Sequence, residues 1–394
     1  MRFTNNDLYK YTMDQVVWSK YSSAWVRYHF KCRTKNVNLL PYKKKIEQKI
    51  EELHGLTPTP QETEFLKKQG YFNESYLSTF SQKQLNCNYV KVTEKNNDLD
   101  IEIEGPWHDT IDFEVPILGI VNEVYFEQFH SDLIFREGDR RLDEKIIKLQ
   151  DIYEEGLKHP ERHPFKLMEF GTRRAFSRDW QAHVVSRLKK ELPKEIFSGC
   201  SNVALAMDND LVPQGTMAHE YLMAHQAFVP LHMAQIKALY VWNEIYRGKL
   251  GIALSDTYTF DQFLRDFDLA LASLFSGARH DSGDPFAWGF KLLDHYEKLG
   301  INSFTKTGAW TDSLDLDLSY RLWCWFSERI RAVFGIGTNL TNDLGVDPLS
   351  IVIKMTHCNG MPLIKISDEP SKAMCEDEKF KEWAIHLFTE MLKS

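Results

Sequence analysis

Arg279-His280-Asp281-Ser282-Gly283-Asp284-Pro285 decides how this chain is read. Its residues carry a fixed cation, a titratable ring, two carboxylates, a hydroxyl and a glycine. Behind them the run from Leu269 to Phe275 leans apolar and predicts a strand. Ahead of them Pro285 opens an amphipathic segment through Trp288, Leu292, Leu293 and Tyr296, which predicts a helix. Asp284 before Pro285 has the pattern of an N-cap followed by proline at the first helical position. The stretch therefore reads as strand, polar turn, helix. The carboxyl end of a buried strand is where α/β enzymes place their chemistry. Capping accounts for Asp284, which leaves Arg279, Asp281 and Ser282 as the candidates for chemistry.

The same unit repeats on both sides. Upstream, Phe165 to Phe170 reads as a strand that breaks at Gly171-Thr172-Arg173-Arg174, before a helix with Phe176, Trp180, Val184 and Leu188 on one face. Gly199-Cys200-Ser201-Asn202 and Pro213-Gln214-Gly215-Thr216 end two more strands, the second followed by a long helix from about Ala218 to Arg247. Gly251 to Leu254 ends at Ser255-Asp256-Thr257. Downstream, Phe304 to Trp310 ends at Thr311-Asp312-Ser313, and Arg331 to Phe334 ends at Gly335-Ile336-Gly337-Thr338. Seven strand ends fall between residues 170 and 338, nearly all with small or polar residues. Such alternation marks parallel α/β architecture. An open sheet gathers its site near one switch point, whereas chemistry spread over many strand ends favours a β/α barrel.

The flanks read differently. A short helix from Asp7 leads to a strand ending at Phe30-Lys31-Cys32-Arg33, and residues 41–54 are charged and helix-like. Thr57-Pro58-Thr59-Pro60 is a break before a helix over Gln61 to Gln69. Val90-Lys91-Val92 and Leu99 to Glu104 alternate like half-buried strands. A helix at about 139–157 follows, with Leu142, Ile146, Leu149, Ile152 and Tyr153 at helical spacing. The chain closes with a hairpin, Ile351 to Lys354 and Leu363 to Ile366, turned near Asn359-Gly360, and a last helix. A barrel does not need that hairpin. The expected organisation is an N-terminal α+β domain over residues 1–125, completed by about 346–394, beside a β/α barrel-like catalytic domain over 126–345.

Composition narrows the function. The chain has 394 residues, 43% of them hydrophobic, enough for a sizeable core. A net charge of −8 and a pI near 6.0 argue against nucleic-acid binding by a broad basic face, while leaving room for a local phosphate site. Six scattered cysteines without a Cys-x-x-Cys pair, and no signal-peptide pattern, predict reduced thiols in a cytoplasmic protein. No apolar run is long enough to span a bilayer, so no membrane partner is expected.

Several strand ends suit phosphate. Gly335-Ile336-Gly337-Thr338 offers backbone N–H groups and a hydroxyl after the last barrel-like strand, and Thr311-Asp312-Ser313 one strand earlier can close the same site. Arg173, Arg174 and Arg279 can grip phosphate or pyrophosphate oxygens bidentately, although Arg174 equally suits a solvated helix start. Asp256, Asp281 and Asp284 can hold Mg²⁺ against such a ligand, or simply cap helices. His219, in Gly215-Thr216-Met217-Ala218-His219-Glu220, sits at a strand-to-helix junction where an imidazole can act as nucleophile or general base, with Glu220 to orient it. Tyr9 can stack on a flat substrate ring or serve as a core aromatic.

Taken in order, these motifs resemble the nicotinate phosphoribosyltransferase family, of the type II phosphoribosyltransferases. The resemblance runs through Asp7-Leu8-Tyr9-Lys10, Phe30-Lys31-Cys32-Arg33, Phe170-Gly171-Thr172-Arg173-Arg174 with Phe176-Ser177, and Gly215-Thr216 with Ala218-His219-Glu220. It continues through residues 279–285, Phe334-Gly335-Ile336-Gly337-Thr338 with Leu340-Thr341, and Lys365, Ser367-Asp368 and Pro370-Ser371-Lys372. Two places depart from the family pattern. Gly199-Cys200-Ser201-Asn202 stands for Gly-Thr-Ser-Asn, and Thr311-Asp312-Ser313 stands for Ser-Asp-Asn or Ser-Asp-Gly. Both keep a small residue and touch only local phosphate contacts.

The resemblance implies an irregular β/α barrel with an α+β domain built from the N-terminus and the C-terminal hairpin. It implies the reaction of nicotinate with 5-phosphoribosyl 1-pyrophosphate (PRPP), coupled to ATP hydrolysis, to give nicotinate mononucleotide, the first step of NAD salvage from nicotinate. Mg²⁺ is the implied cofactor and a homodimer the implied assembly. By motif, His219 is the histidine transiently phosphorylated by ATP, with Glu220 and Asp281 beside it as catalytic residues. Tyr9, Thr216 and Arg279 match nicotinate contacts, and Thr338 matches a phosphoribosyl-phosphate contact. Arg173, Asp256, Ser282, Asp312 and Gly337 complete the expected substrate-binding set, with Asp281 and Asp284 as metal ligands. The rivals are a nicotinamide or quinolinate phosphoribosyltransferase, a non-catalytic metabolite-binding protein on the same fold, and a glycosidase barrel, which needs paired carboxylates at a set separation.

Overall fold

The computed structural model describes residues 1–368 and 373–393, so Pro370, Ser371 and Lys372 of the last motif lie outside the described residues. The fold is mixed α/β, with two sheets. The first contains β1 (Trp25–Cys32), β2 (Val90–Lys95), β3 (Asp98–Pro106), β11 (Ile351–Cys358) and β12 (Met361–Pro362), in the order β12-β11-β1-β3-β2. Its pairs β1·β3, β2·β3 and β11·β12 are antiparallel. Along β3 buried and half-buried residues alternate strictly, with Leu99, Ile101 and Ile103 inward, as one covered face requires.

The second sheet is the rhythm read from the sequence. It contains β4 (Lys166–Glu169), β5 (Phe197–Cys200), β6 (Val212–Pro213), β7 (Ile252–Leu254), β8 (Gly277–His280), β9 (Thr307–Trp310) and β10 (Arg331–Ile336), in the order β6-β5-β4-β10-β9-β8-β7. The pairs β5·β6, β7·β8, β8·β9 and β9·β10 are parallel. Its strands are short and largely buried, β9 throughout, as in parallel sheets covered on both faces.

The chain forms two compact units, interleaved along the sequence. One holds residues 1–150, 168–215 and 336–354; the other holds 151–167, 216–335 and 355–394. Among the described residues, no helix is long and apolar enough to cross a membrane.

Local chemistry explains most boundaries. Thr59 and Glu62 cap the helix Pro60–Lys68 reciprocally. Asp284 Oδ1 accepts from the Ala287 N–H at 2.7 Å and Pro285 opens the helix Pro285–Lys298, as read. Three expectations need correction. Leu269–Leu274 is a helix capped by Asp268, and the strand before the polar turn is Gly277–His280. The helix expected over 218–247 is broken: His219–Ala224 and Ala234–Tyr246 flank Pro230, which cannot continue the N–H ladder. The hairpin turns at Asn359 and Gly360, both with positive φ, but its second strand covers only Met361–Pro362. The ladder ends with the bond from the Leu363 N–H to the Thr356 carbonyl, and beyond it Lys365 and Ser367 reach the site instead.

One buried carboxyl makes stability pH-dependent. Asp266 accepts from Gln235 Nε2 at 2.9 Å and Gln262 Nε2 at 2.8 Å, and burial pushes it up to about 6. Its folded value lies above its unfolded one, so its contribution is fullest below about pH 4 and is lost as pH rises through about 6. Both glutamine Oε1 atoms lack a hydrogen-bond partner among the described residues, so an asparagine amide can donate to one of them after a flip. Asp266→Asn should therefore stabilise the protein by about 1–2 kcal/mol at pH 8 and by nearly nothing at pH 4, in urea unfolding at the two values.

Candidate active site

The loops after β7 and β8, the start of the helix His219–Ala224 and the segment after β12 meet at one carboxylate. Asp256, only 2% exposed, follows β7. Its Oδ1 lies 2.7 Å from His219 Nε2. Its Oδ2 accepts from Lys365 Nζ at 2.8 Å and from the Ser282 hydroxyl at 2.7 Å. Ser282 in turn accepts from Ser367 Oγ at 3.0 Å. Burial works against an ionised Asp256, but His219 and Lys365 outweigh it and hold the carboxyl well below the usual range. Burial and the Lys365 charge push His219 below its ordinary value, against the pull of Asp256. An ionised carboxylate only accepts, so Nε2 carries the proton and Nδ1 keeps its lone pair.

His219 Nδ1 faces Asp281 Oδ2 at 3.8 Å, and the two side chains are 22% and 29% exposed. The second Asp281 oxygen accepts from Thr311 Oγ1 at 3.0 Å. Burial raises Asp281, but Arg279 overrides it and holds the carboxyl below its ordinary value. Arg279 Nη1 donates to the Met217 carbonyl at 3.2 Å, while its Nε is buried without a hydrogen-bond partner among the described residues. Thr216 donates to the Ile252 carbonyl at 2.9 Å. Gly283 has φ +83°, the left-handed turn that returns the chain from Ser282 to the Asp284 cap.

His219, Asp256 and Asp281 offer ligand atoms within 4.8 Å of one another. They do not make an equal triad for a cation. Asp256 already has both oxygens engaged and the Lys365 ammonium beside it, whereas Asp281, 29% exposed, keeps Oδ2 without a hydrogen bond among the described residues. The free oxygen of Asp281 suits a cation such as Mg²⁺; Asp284 caps its helix through Oδ1 and is not one of these three residues.

The other unit gathers a second set. Tyr9 is buried, and the Lys10 ammonium lies 5.6 Å from its ring centre. Lys10 pairs with Glu114 at 2.6 Å, and Arg173, 45% exposed, reaches the other Glu114 oxygen at 3.4 Å. Arg173 sits on the turn Thr172–Arg174 after β4. Glu169, which ends β4, is fully buried and pushed up to about 8 by burial; it accepts from the Gly171 N–H and from Gln181. Gly337 follows β10, where a Cβ would lie 2.9 Å from the Phe170 carbonyl, so the approach requires glycine. Thr338 opens the short helix after it.

Of the residues singled out from the sequence, His219, Asp256, Arg279, Asp281, Ser282 and Thr216 lie in one unit with Asp312, which is half-buried after β9, and with Glu220, buried beside His219. Tyr9, Arg173, Gly337 and Thr338 lie in the other. The carboxylate seen on His219 Nε2 is Asp256, for which sequence reading had suggested a metal or substrate role. Lys365 and Ser367 belong to the last motif, to which the sequence assigns no role. Their signal was a lysine between Ile364 and Ile366, where an apolar neighbourhood calls for a buried partner.

Known proteins agree with the motifs. The profile of the nicotinate phosphoribosyltransferase (NAPRTase) family matches residues 165–391, and that of the NAPRTase N-terminal domain matches residues 4–122. The nicotinate phosphoribosyltransferase of Burkholderia mallei is 45% identical over 388 residues, covering 98% of this chain and 95% of the relative. That of Ralstonia nicotianae is 43% identical, covering 98% and 97%. The crystal structure of nicotinate phosphoribosyltransferase from Vibrio cholerae superposes with a TM-score of 0.92 at 36% identity, covering 99% of this chain and 93% of that one. The Porphyromonas gingivalis enzyme gives 0.90 at 30% identity, covering 100% and 99%.

The buried pair sets a stability test. Asp256→Ala leaves the Lys365 ammonium, 5% exposed, without its carboxylate and should cost roughly 3–5 kcal/mol. Adding Lys365→Met should restore much of that loss, a coupling read from a double-mutant cycle in urea.

Proposed function

The chain belongs to the nicotinate phosphoribosyltransferase family, and from that premise we propose that it converts nicotinate and PRPP to nicotinate mononucleotide and pyrophosphate, with ATP hydrolysis coupled through His219. The observation that carries the coupling is the hydrogen bond from His219 Nε2 to the ionised Asp256. It leaves the lone pair on Nδ1, which faces Asp281 Oδ2 at 3.8 Å, in a side chain that is 22% exposed.

In the transfer step the ribose C1–O bond breaks and pyrophosphate leaves with the electron pair. The nicotinate ring nitrogen forms the new C1–N bond with its own lone pair, so no base is required at C1. Arg279, whose Nε has no acceptor among the described residues, is suited to an anionic group of the substrates. Thr216 and Ser282 offer hydroxyls and Asp312 a carboxylate on the same unit. For Tyr9, Arg173, Gly337 and Thr338 the reading keeps the ring and phosphate contacts that their motifs imply. Mg²⁺, when bound, neutralises charge developing on the leaving pyrophosphate. Asp281 would hold it, directly or through water.

In the coupling step His219 Nδ1 attacks the γ-phosphorus of ATP. The N–P bond forms as the P–O bond to ADP breaks, and ADP takes the electron pair. The imidazolium that forms keeps its proton on Nε2, hydrogen-bonded to Asp256, much as a buried carboxylate stabilises a catalytic imidazolium elsewhere. The phosphoryl group brings about −1.5 to −2 charge beside Asp281, which favours a rearranged site. Water then releases phosphate and returns the lone pair to Nδ1. On this proposal the chain catalyses the first step of NAD salvage from nicotinate and works as a cytoplasmic homodimer.

Rates on nicotinate, nicotinamide and quinolinate test the reading. Nicotinate should be preferred by about a thousandfold, since a site that pairs a carboxylate rejects the amide strongly. ATP should raise turnover, and His219→Asn should abolish both that rise and acid-labile ³²P incorporation. Preference for the amide or the diacid would install a sister enzyme instead, and binding without pyrophosphate release would mark a non-catalytic protein.

A further inference from the structure

The segment 363–368, which leaves the hairpin ladder after Leu363, is fixed along its length. Leu363 N–H donates to the Thr356 carbonyl at 2.8 Å. Gln226 brackets Ile364, donating to its carbonyl at 2.6 Å and accepting from its N–H at 2.9 Å. Lys365 exchanges backbone bonds with Met374 at 2.8 and 3.0 Å, and Ile366 N–H reaches the Thr257 carbonyl at 2.9 Å. Ser367 is held at φ +67° with its hydroxyl on Ser282, and Asp368 Oδ1 accepts from the Phe260 N–H at 2.7 Å. A backbone tied this closely aims the Lys365 side chain at one place. That place is the oxygen of Asp256 turned away from His219.

We propose that Lys365 is a positioning residue for phosphoryl transfer: by saturating Asp256 Oδ2 together with Ser282, it locks Oδ1 onto His219 Nε2 and so restricts phosphorylation to Nδ1. The inference rests on the reading of His219 as the phosphoryl acceptor and deepens it. A carboxylate with one oxygen bound to an ammonium and a hydroxyl has little freedom to rotate, and its remaining lone pairs fix the ring that donates to it. Partners one shell out commonly orient a functional histidine in this way. Without the ammonium, Asp256 is held on Oδ2 by a single hydroxyl. The imidazole, 22% exposed, can then turn over and give Nδ1 to Asp256, presenting Nε2 to ATP. Lys365 touches neither substrate nor the transferred group in this account; it acts through Asp256.

The test is the position of the label on the full-length enzyme. Wild type, Lys365→Met and Lys365→Arg are incubated with [γ-³²P]ATP, and the two phosphohistidine isomers are separated after alkaline hydrolysis. Wild type should carry the Nδ1 isomer alone. Lys365→Met should label about tenfold more slowly and carry a mixture with the Nε2 isomer. Lys365→Arg, which keeps charge and donors, should restore the single isomer. Ser282→Ala serves if Lys365→Met does not fold, and should leak the Nε2 isomer to a smaller extent. A single Nδ1 isomer at the wild-type rate in Lys365→Met overturns the proposal. So does an equal loss of label in the Met and Arg variants with a lowered unfolding midpoint, the mark of a merely structural lysine. Label on Nε2 of the wild type defeats this inference alone, whereas absence of any acid-labile label defeats the phosphohistidine reading and this inference with it.

Discussion

Asp256 is a buried carboxylate that cannot be left alone. An unpaired charge in so enclosed a place is costly enough that proteins pair it or neutralise it. Here an ammonium, a hydroxyl and an imidazole share it. Those three groups come from the segment after β12, the turn after β8 and the helix that starts at His219. One ionised side chain thus requires separate stretches of sequence to arrive together, and the geometry of the histidine follows from that requirement.

The same logic separates two carboxylates that look alike in the sequence. Asp256 has its oxygens filled and serves the histidine. Asp281 is held low by Arg279, has one oxygen on Thr311 and leaves the other facing Nδ1. A divalent cation can meet Asp281, while it has no oxygen to claim on Asp256. Division of labour between neighbouring carboxylates by environment is a recurrent way for one site to hold two roles.

Much of this was legible in the sequence because the signals were local. The Asp284-Pro285 cap, the break at residues 57–60 and the alternation of β3 are short-range patterns with a physical cause, and the strand-end rhythm exposed the parallel sheet. Leu269–Leu274 was misread because a short apolar run does not separate strand from helix by periodicity. The long helix after His219 failed at Pro230, whose missing N–H was present in the sequence but was outweighed by the apolar spacing around it. Of the site, His219, Asp281 and Arg279 announced themselves through residue type at a strand end. The partnership of Asp256 with Lys365 did not, since it joins residues 109 positions apart and nothing in either neighbourhood names the other.

The account stands on the protonation pattern of one ring. ¹⁵N-resolved NMR of His219 in the unphosphorylated enzyme at pH 7 reads it directly. A neutral imidazole, protonated at Nε2 and bare at Nδ1, is the predicted result, lost in Asp256→Asn. An imidazolium, or a neutral ring protonated at Nδ1, would contradict it.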